Sequence, residues 1–157
     1  MTIHRLQREQ LIRRPLEEVF AFFARPENLE AITPAFLHFR ILTPSPIPME
    51  PGALIDYRLK LYGVPVRWRT RIARFEPPGL FTDEQLRGPY ASWHHLHEFE
   101  AVPEGTLMRD TVDYRVALWP LGVVADALLV KRSLRRIFDH RAEAIERLLA
   151  PVSSVPA

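Results

Sequence analysis

Hydrophobic positions along the chain follow two different periods, and the points where one gives way to the other mark out its elements. Ile3 to Ile12 carries the β-branched and aliphatic residues of a strand, with imperfect alternation. Pro15 stands at a first helical position, and Glu17 and Glu18 fall in the first turn, where the helix dipole favours anions. Leu16, Val19, Phe20 and Phe23 recur at helical spacing up to Pro26. A second short helix over Asn28 to Ile32, stopped before Pro34, completes a bent helical pair whose aromatic stripe reads as a face packed on a sheet.

From Phe36 the period is two. Phe36 to Leu42 reads as a strand, and Thr43 to Gly52 as a proline-rich loop that cannot enter a sheet interior. Ile55, Tyr57, Leu59 and Leu61 alternate with Asp56, Arg58 and Lys60; after Tyr62-Gly63, Val64, Val66, Trp68, Thr70 and Ile72 alternate with Arg67, Arg69 and Arg71. Turns at Pro77-Pro78-Gly79, Gly88-Pro89 and Glu104-Gly105 separate strands over Leu80 to Arg87, Tyr90 to Ala101 and Thr106 to Leu118. Short alternating segments joined by tight turns predict an antiparallel meander. After Pro120 and Gly122 the helical period returns, with Ala127, Val130, Leu134, Ile137, Phe138, Ala144, Ile145 and Leu148 on one stripe of a helix of about 25 residues ending before Pro151. The fold class is α+β: one domain over residues 1–150, with about seven strands and a frayed tail at 151–157.

Composition narrows the possibilities. With 157 residues, 47% of them hydrophobic, the chain can bury a sizeable core without a staple. The absence of cysteine excludes a disulfide framework, a thiolate zinc site and a cysteine nucleophile. A net charge of +2 is too weak a field to indicate a nucleic-acid partner. The 15 prolines, against 47% hydrophobic residues, punctuate ordered elements and do not mark disorder. Met1 to Arg14 interrupts its apolar residues with Arg5, Arg8, Glu9 and Arg13, unlike a signal peptide. Ala117 to Val130 contains Pro120 and Asp126 and falls short of the ~20 apolar residues that span a bilayer. No stable membrane insertion is expected, and the expected location is the cytoplasm.

Within this order of elements stand Arg14-Pro-Leu-Glu-Glu-Val-Phe20, Asn28-Leu29, Thr33-Pro34 and Phe81-x-Asp83-x-Gln85. They are followed by Gly88-Pro89-Tyr90-x-x-Trp93-x-His95-x-His97-x-Phe99, Gly105-Thr106, Asp110, Tyr114 and Ile137-Phe138-x-x-Arg141. Together these resemble the START-like or SRPBCC superfamily, which includes polyketide cyclases and dehydrases and lipid-transfer domains. The resemblance implies a helix-grip fold, a curved antiparallel sheet wrapped around the long C-terminal helix from about Leu121 to Ala150, with a cavity between them. Most members of the bacterial ligand-binding and cyclase/dehydrase-like subgroup have no assigned activity, so the resemblance speaks to the fold more than to the function.

That implied fold gives the period-two reading a direction. Tyr57, Leu59, Trp68, Thr70, Ile72, Phe81, Trp93, Phe99, Val112 and Tyr114 would face inward, and in the same registers so would Asp83, Gln85, His95, His97 and Asp110. Buried Asp and His need each other, water or a ligand. Three readings compete: a hydrogen-bonded network with no further task; the polar end of a pocket for a small hydrophobic molecule bearing a hydroxyl, keto or carboxylate group; and catalysis. In the last, His95 or His97 acts as general acid or base with Asp83 or Asp110 fixing its tautomer, as a cyclase, dehydratase or isomerase requires. Arg141, near the apolar stripe of the last helix, could reach a ligand anion or Asp110.

His95-x-His97 with one carboxylate has the ligand count of a catalytic zinc site. Two histidines two apart arise easily by chance, however, and neither metal nor cofactor is expected. No phosphate-binding glycine loop or nucleophile elbow is present, so any enzyme would be a lyase or isomerase without a nucleotide. His94 and the run Arg67, Arg69, Arg71 should face solvent, the arginines pairing with Asp56 and Glu84 across strands. Thr43 to Gly52 and Leu118 to Gly122 are candidate gates. The expected partner is a small hydrophobic molecule, and the chain a monomer or homodimer. An interaction module whose interior is filled by its own aromatics is a further alternative.

Overall fold

Tight turns between alternating segments oblige successive strands to lie side by side and antiparallel. The computed structural model describes residues 2–117 and 127–151. In chain order it contains β1 (His4–Ile12), α1 (Leu16–Phe23), two 3₁₀ stretches (Pro26–Ile32 and Ala35–Leu37), β2 (Arg40–Ile41), β3 (Leu54–Leu61), β4 (Val64–Glu76), β5 (Leu80–Arg87), β6 (Tyr90–Val102), β7 (Gly105–Val116) and α2 (Ala127–Leu148). The strands form a seven-stranded sheet in the order β1-β7-β6-β5-β4-β3-β2. β1 is antiparallel to β7, with Leu6 opposite Val112. Gly105 permits that closure: its φ is +144°, and a Cβ there would collide with the carbonyl oxygen of Ile12.

The inner face of the sheet grips α2, as the resemblance implies. The two ends of the helix stripe have different surroundings. Ala144 and Ile145 join Val19, Phe20, Phe23, Phe99 and Met108 in a close-packed core, whereas Val130, Leu134 and Phe138 face Leu37, Leu59, Trp68, Trp93 and Tyr114. On the outer face Arg69 pairs with Asp56 at 2.7 Å, and Arg71 pairs with Glu84, as the alternation predicts. No described helix is long and apolar enough to cross a membrane.

The structure departs from the sequence reading in four places. The second short helix is 3₁₀ and begins at Pro26; Asn28 Nδ2 donates back to the Phe22 carbonyl at 2.8 Å, and Thr33 Oγ1 to that of Leu29 at 2.6 Å. The expected strand from Phe36 shrinks to Arg40–Ile41, because a 3₁₀ turn over Ala35–Leu37 buries Leu37 and ends at His38 in the left-handed region. β4 continues to Glu76, past Ile72, because the register with β5 skips Ala73 and turns Phe75 inward against Phe20 and Phe81. The proline-rich loop is tied down: Ile47 is buried beside Ile55 and Ile72, and the Glu27 carboxylate accepts from Ser45 Oγ at 2.8 Å and from the Ile47 amide at 3.1 Å. The other expected gate, Leu118 to Gly122, lies outside the described residues, as do 121–126 of the expected helix and 152–157 of the expected tail.

The division of the interior makes a stability prediction. Ile145, 1% exposed in the packed end, should cost ~2–5 kcal/mol when replaced by Ala, read as a lower urea midpoint, whereas Arg69→Ala on the outer face should barely move it.

Candidate functional site

β6 lies between β5 and β7, and its inward positions include two histidines. The register sets Asp83 of β5 opposite His95 and Asp110 of β7 opposite His97. Diagonal neighbours across paired strands remain within reach of long side chains, and here the hydrogen bonds run along the diagonals. His97 Nε2 lies 2.7 Å from Asp83 Oδ2, and His95 Nε2 lies 2.8 Å from Asp110 Oδ1. The two rings stand 3.7 Å apart between centroids, with His97 also stacked on Phe81. His97 Nδ1 is 3.1 Å from Asp110 Oδ1 but out of line for a hydrogen bond, so the contact is electrostatic. From α2, Arg141 brings Nη2 to 3.8 Å from Asp110 Oδ1, its guanidinium lying over Phe23 and Phe138.

Burial opposes every charge in this cluster, and pairing decides which ones survive. Burial pushes the Asp110 carboxyl up, but Arg141, the hydrogen bond from His95 and the close contact of His97 hold it well below the usual range. For Asp83 burial is likewise outweighed, by the His97 hydrogen bond and then by the charges of His95, His97 and Arg141. Burial works against a charge on His97, yet the two carboxylates raise its pKa above the ordinary imidazole value. His95 is lowered, first by burial and then by its cationic neighbour. His95, pushed below the ordinary imidazole value, is neutral at neutral pH, while the two carboxylates stay ionised beside Arg141. Since His95 Nε2 faces an anion it carries the proton, leaving Nδ1 with a free lone pair.

Above this cluster is a cavity of about 200 Å³. Asp83, His95 and His97 form a polar patch on a wall that is otherwise largely apolar and aromatic. Of the side chains that the sequence assigns to ligand contact, Tyr57, Trp68, Thr70, Phe81, Trp93 and Arg141 border the cavity. Asp110 stands behind the histidines, outside the lining. Three others are placed elsewhere. Gln85 closes the β5–β6 turn, its amide donating to the Tyr90 carbonyl at 2.9 Å and accepting from the Tyr90 amide at 3.2 Å. Phe99 belongs to the packed core with Phe20 and Phe23, and Tyr114 stacks on His4.

The structure adds Tyr90, Phe39, Met49, Leu61 and Ile137 to the wall. Tyr90 escapes the period-two pattern because the register skips Ala91, which brings a residue three before Trp93 onto the same face. Tyr57 and Thr70 satisfy each other at 2.8 Å. Trp68 Nε1 and Arg141 Nε are buried without a hydrogen-bond partner among the described residues. Among the described residues, the aromatic side chains leave this cavity unfilled.

The charge balance can be tested by unbalancing it. Asp110→Asn leaves the buried Arg141 without its nearest carboxylate and should destabilise the protein by ~3–5 kcal/mol in urea unfolding. Adding Arg141→Met to that variant should recover part of the loss, because it removes the stranded cation.

Comparison with known proteins locates this geometry in a family. Residues 12–146 match the family described as polyketide cyclase / dehydrase and lipid transport. The crystal structure of a Thermus thermophilus protein is similar at TM-score 0.72 and 17% identity, covering 98% of this chain and 100% of that one. A protein from Chromobacterium violaceum is similar at TM-score 0.72 and 12% identity over 94% and 98% of the two chains. The ginseng (Panax ginseng) major latex-like protein 151 is similar at TM-score 0.68 and 15% identity over 95% and 99%. At such identities the likeness is one of fold. No curated protein sequence matches the chain.

Proposed function

Because the chain belongs to the polyketide cyclase/dehydrase and lipid transport family, we propose that it binds a small, mainly apolar molecule bearing one oxygen group in the cavity between the sheet and α2. The observation that carries this reading is the cavity itself: a largely aromatic and aliphatic wall with a charged patch at Asp83, His95 and His97. Such walls hold the apolar body of a ligand while a few polar groups set its orientation. The volume, about 200 Å³, exceeds the ~150 Å³ that admits a benzene ring, which suits a ligand of one or two rings. Trp68 Nε1 and Arg141 Nε are donors in need of an acceptor, which favours a keto or carboxylate oxygen on the ligand. The protein acts in this reading as one domain over residues 1–150, in the cytoplasm, as a monomer or homodimer.

A second reading uses the same cavity for chemistry. Neutral His95, held by Asp110 with Nδ1 unprotonated, is a base bordering the cavity. That arrangement suits proton abstraction beside a carbonyl, the step common to cyclisation, dehydration and isomerisation.

Native mass spectrometry of protein from its own host should reveal a co-purifying small molecule. Leu134→Trp, which fills the cavity from α2, should abolish that adduct. Repeated preparations without an adduct, together with Trp fluorescence unmoved by an apolar probe such as anilinonaphthalene sulfonate, would sink the binding reading. His95→Gln separates the two: a binder keeps its ligand with at most altered affinity, whereas an enzyme keeps the ligand and loses turnover.

A further inference from the structure

We propose that Asp83, His95 and His97 form a binding site for a divalent first-row metal ion on the cavity wall, with Asp110 as the outer carboxylate that orients both imidazoles. The three side chains each place one ligand atom within 4.8 Å of the others, and the two histidines are buried. Asp110 Oδ1 lies near one nitrogen of each ring, His95 Nε2 at 2.8 Å and His97 Nδ1 at 3.1 Å. The opposite nitrogens, His95 Nδ1 and His97 Nε2, lie 3.8 and 2.7 Å from Asp83 Oδ2. Each ring therefore has one nitrogen on the Asp110 side and the other on the Asp83 side. Ligands bound at ~2.0–2.1 Å in a tetrahedron stand about 3.4 Å apart, so small side-chain rotations bring these three atoms around one ion.

The outer contacts point the same way. Metal-bound imidazoles donate their second N–H to a carboxylate or carbonyl. Asp110 already accepts from His95 and is the nearest anion to His97 Nδ1, a buried atom without a hydrogen bond. Asp83, His95 and His97 border the cavity while Asp110 does not, which leaves the far side of the ion open to a ligand. Charge is compatible as well. Two carboxylates and Arg141 leave one negative charge. A divalent ion leaves the cluster at +1, which suits an anionic oxygen in the open position. Two imidazoles and a carboxylate, with no thiolate, fit Zn²⁺, Fe²⁺ or Co²⁺.

This site stands independently of the organic ligand, so its test uses the metal alone. The full chain, stripped with a chelator, is titrated with Co²⁺ near neutral pH. One ion per chain with visible ligand-field absorption, displaced by one equivalent of Zn²⁺, is expected. Asp83→Asn and His95→Gln, checked for folding by circular dichroism, should each weaken binding by at least 100-fold, while His94→Gln on the outer face should not. Absence of saturable Co²⁺ binding to the wild-type chain below millimolar concentration overturns the proposal without recourse to any variant. Undiminished binding in folded Asp83→Asn and His95→Gln overturns it too, by placing the ion on exposed imidazoles. Either failure leaves the apolar-ligand reading intact, since mass spectrometry and fluorescence test that separately.

Discussion

The crossed pairing of His95 with Asp110 and of His97 with Asp83 constrains everything around it. Four ionisable side chains sit on the inner face of three adjacent strands, and burying them is tolerable only while each charge has its counterpart within reach. A slip of β5 or β7 by one residue against β6 would send a carboxylate to the outer face and leave an imidazole alone inside. The pairing thus penalises one-residue slips of the strands that carry the aromatic wall. Phe81, Trp93 and Val112 keep their inward positions in the same registers as the charged residues beside them.

The second organising feature is the uneven filling beneath α2. Near the C-terminal end of the helix, α1 supplies Val19, Phe20 and Phe23, which cluster with Met108, Ala144 and Ile145. Toward the N-terminal end the helix faces Leu59, Trp68 and Trp93, and the two indole rings stand nearly perpendicular at 5.3 Å. Rings held edge to face are well packed against one another and still enclose volume. The packed half provides stability, and the open half provides room for a ligand. Arg141 lies between them, its charge directed at Asp110 and its plane against Phe23 and Phe138.

The polar cluster also joins the two functional readings to the metal site. A neutral His95 with a free Nδ1 is at once a hydrogen-bond acceptor for a ligand, a base for proton abstraction and a donor atom for a metal ion. These roles differ in what occupies the space between the imidazoles and Asp83: an organic oxygen, a proton in transit or a cation. Asp110 serves the same purpose in each case, since it fixes the tautomer of His95 from the side away from the cavity.

Much of this is legible in the residues alone, and the boundary is instructive. That His95 and His97 share a face follows from their spacing of two, and the outward direction of Arg69 and Arg71 follows from the same rule, because strand alternation is a property of the local backbone. The helix stripe from Val130 to Ile145 is local in the same sense. Which carboxylate each imidazole meets is not local: Asp83 and Asp110 are 14 and 15 residues from their partners, and only the strand registers bring them together on the diagonals. The skipped residues Ala73 and Ala91 carry no distinguishing side chain, yet they turn Phe75 and Tyr90 inward. Leu37 leaves the expected strand because a buried position under α2 outcompetes edge pairing. The sequence by itself therefore determined the long helix, the strands from Leu54 onward, their order and the face on which each side chain of a regular strand lies. The tertiary structure alone decided the pairing of the buried charges and the volume left open beside them, because both depend on groups far apart in the chain arriving at one place.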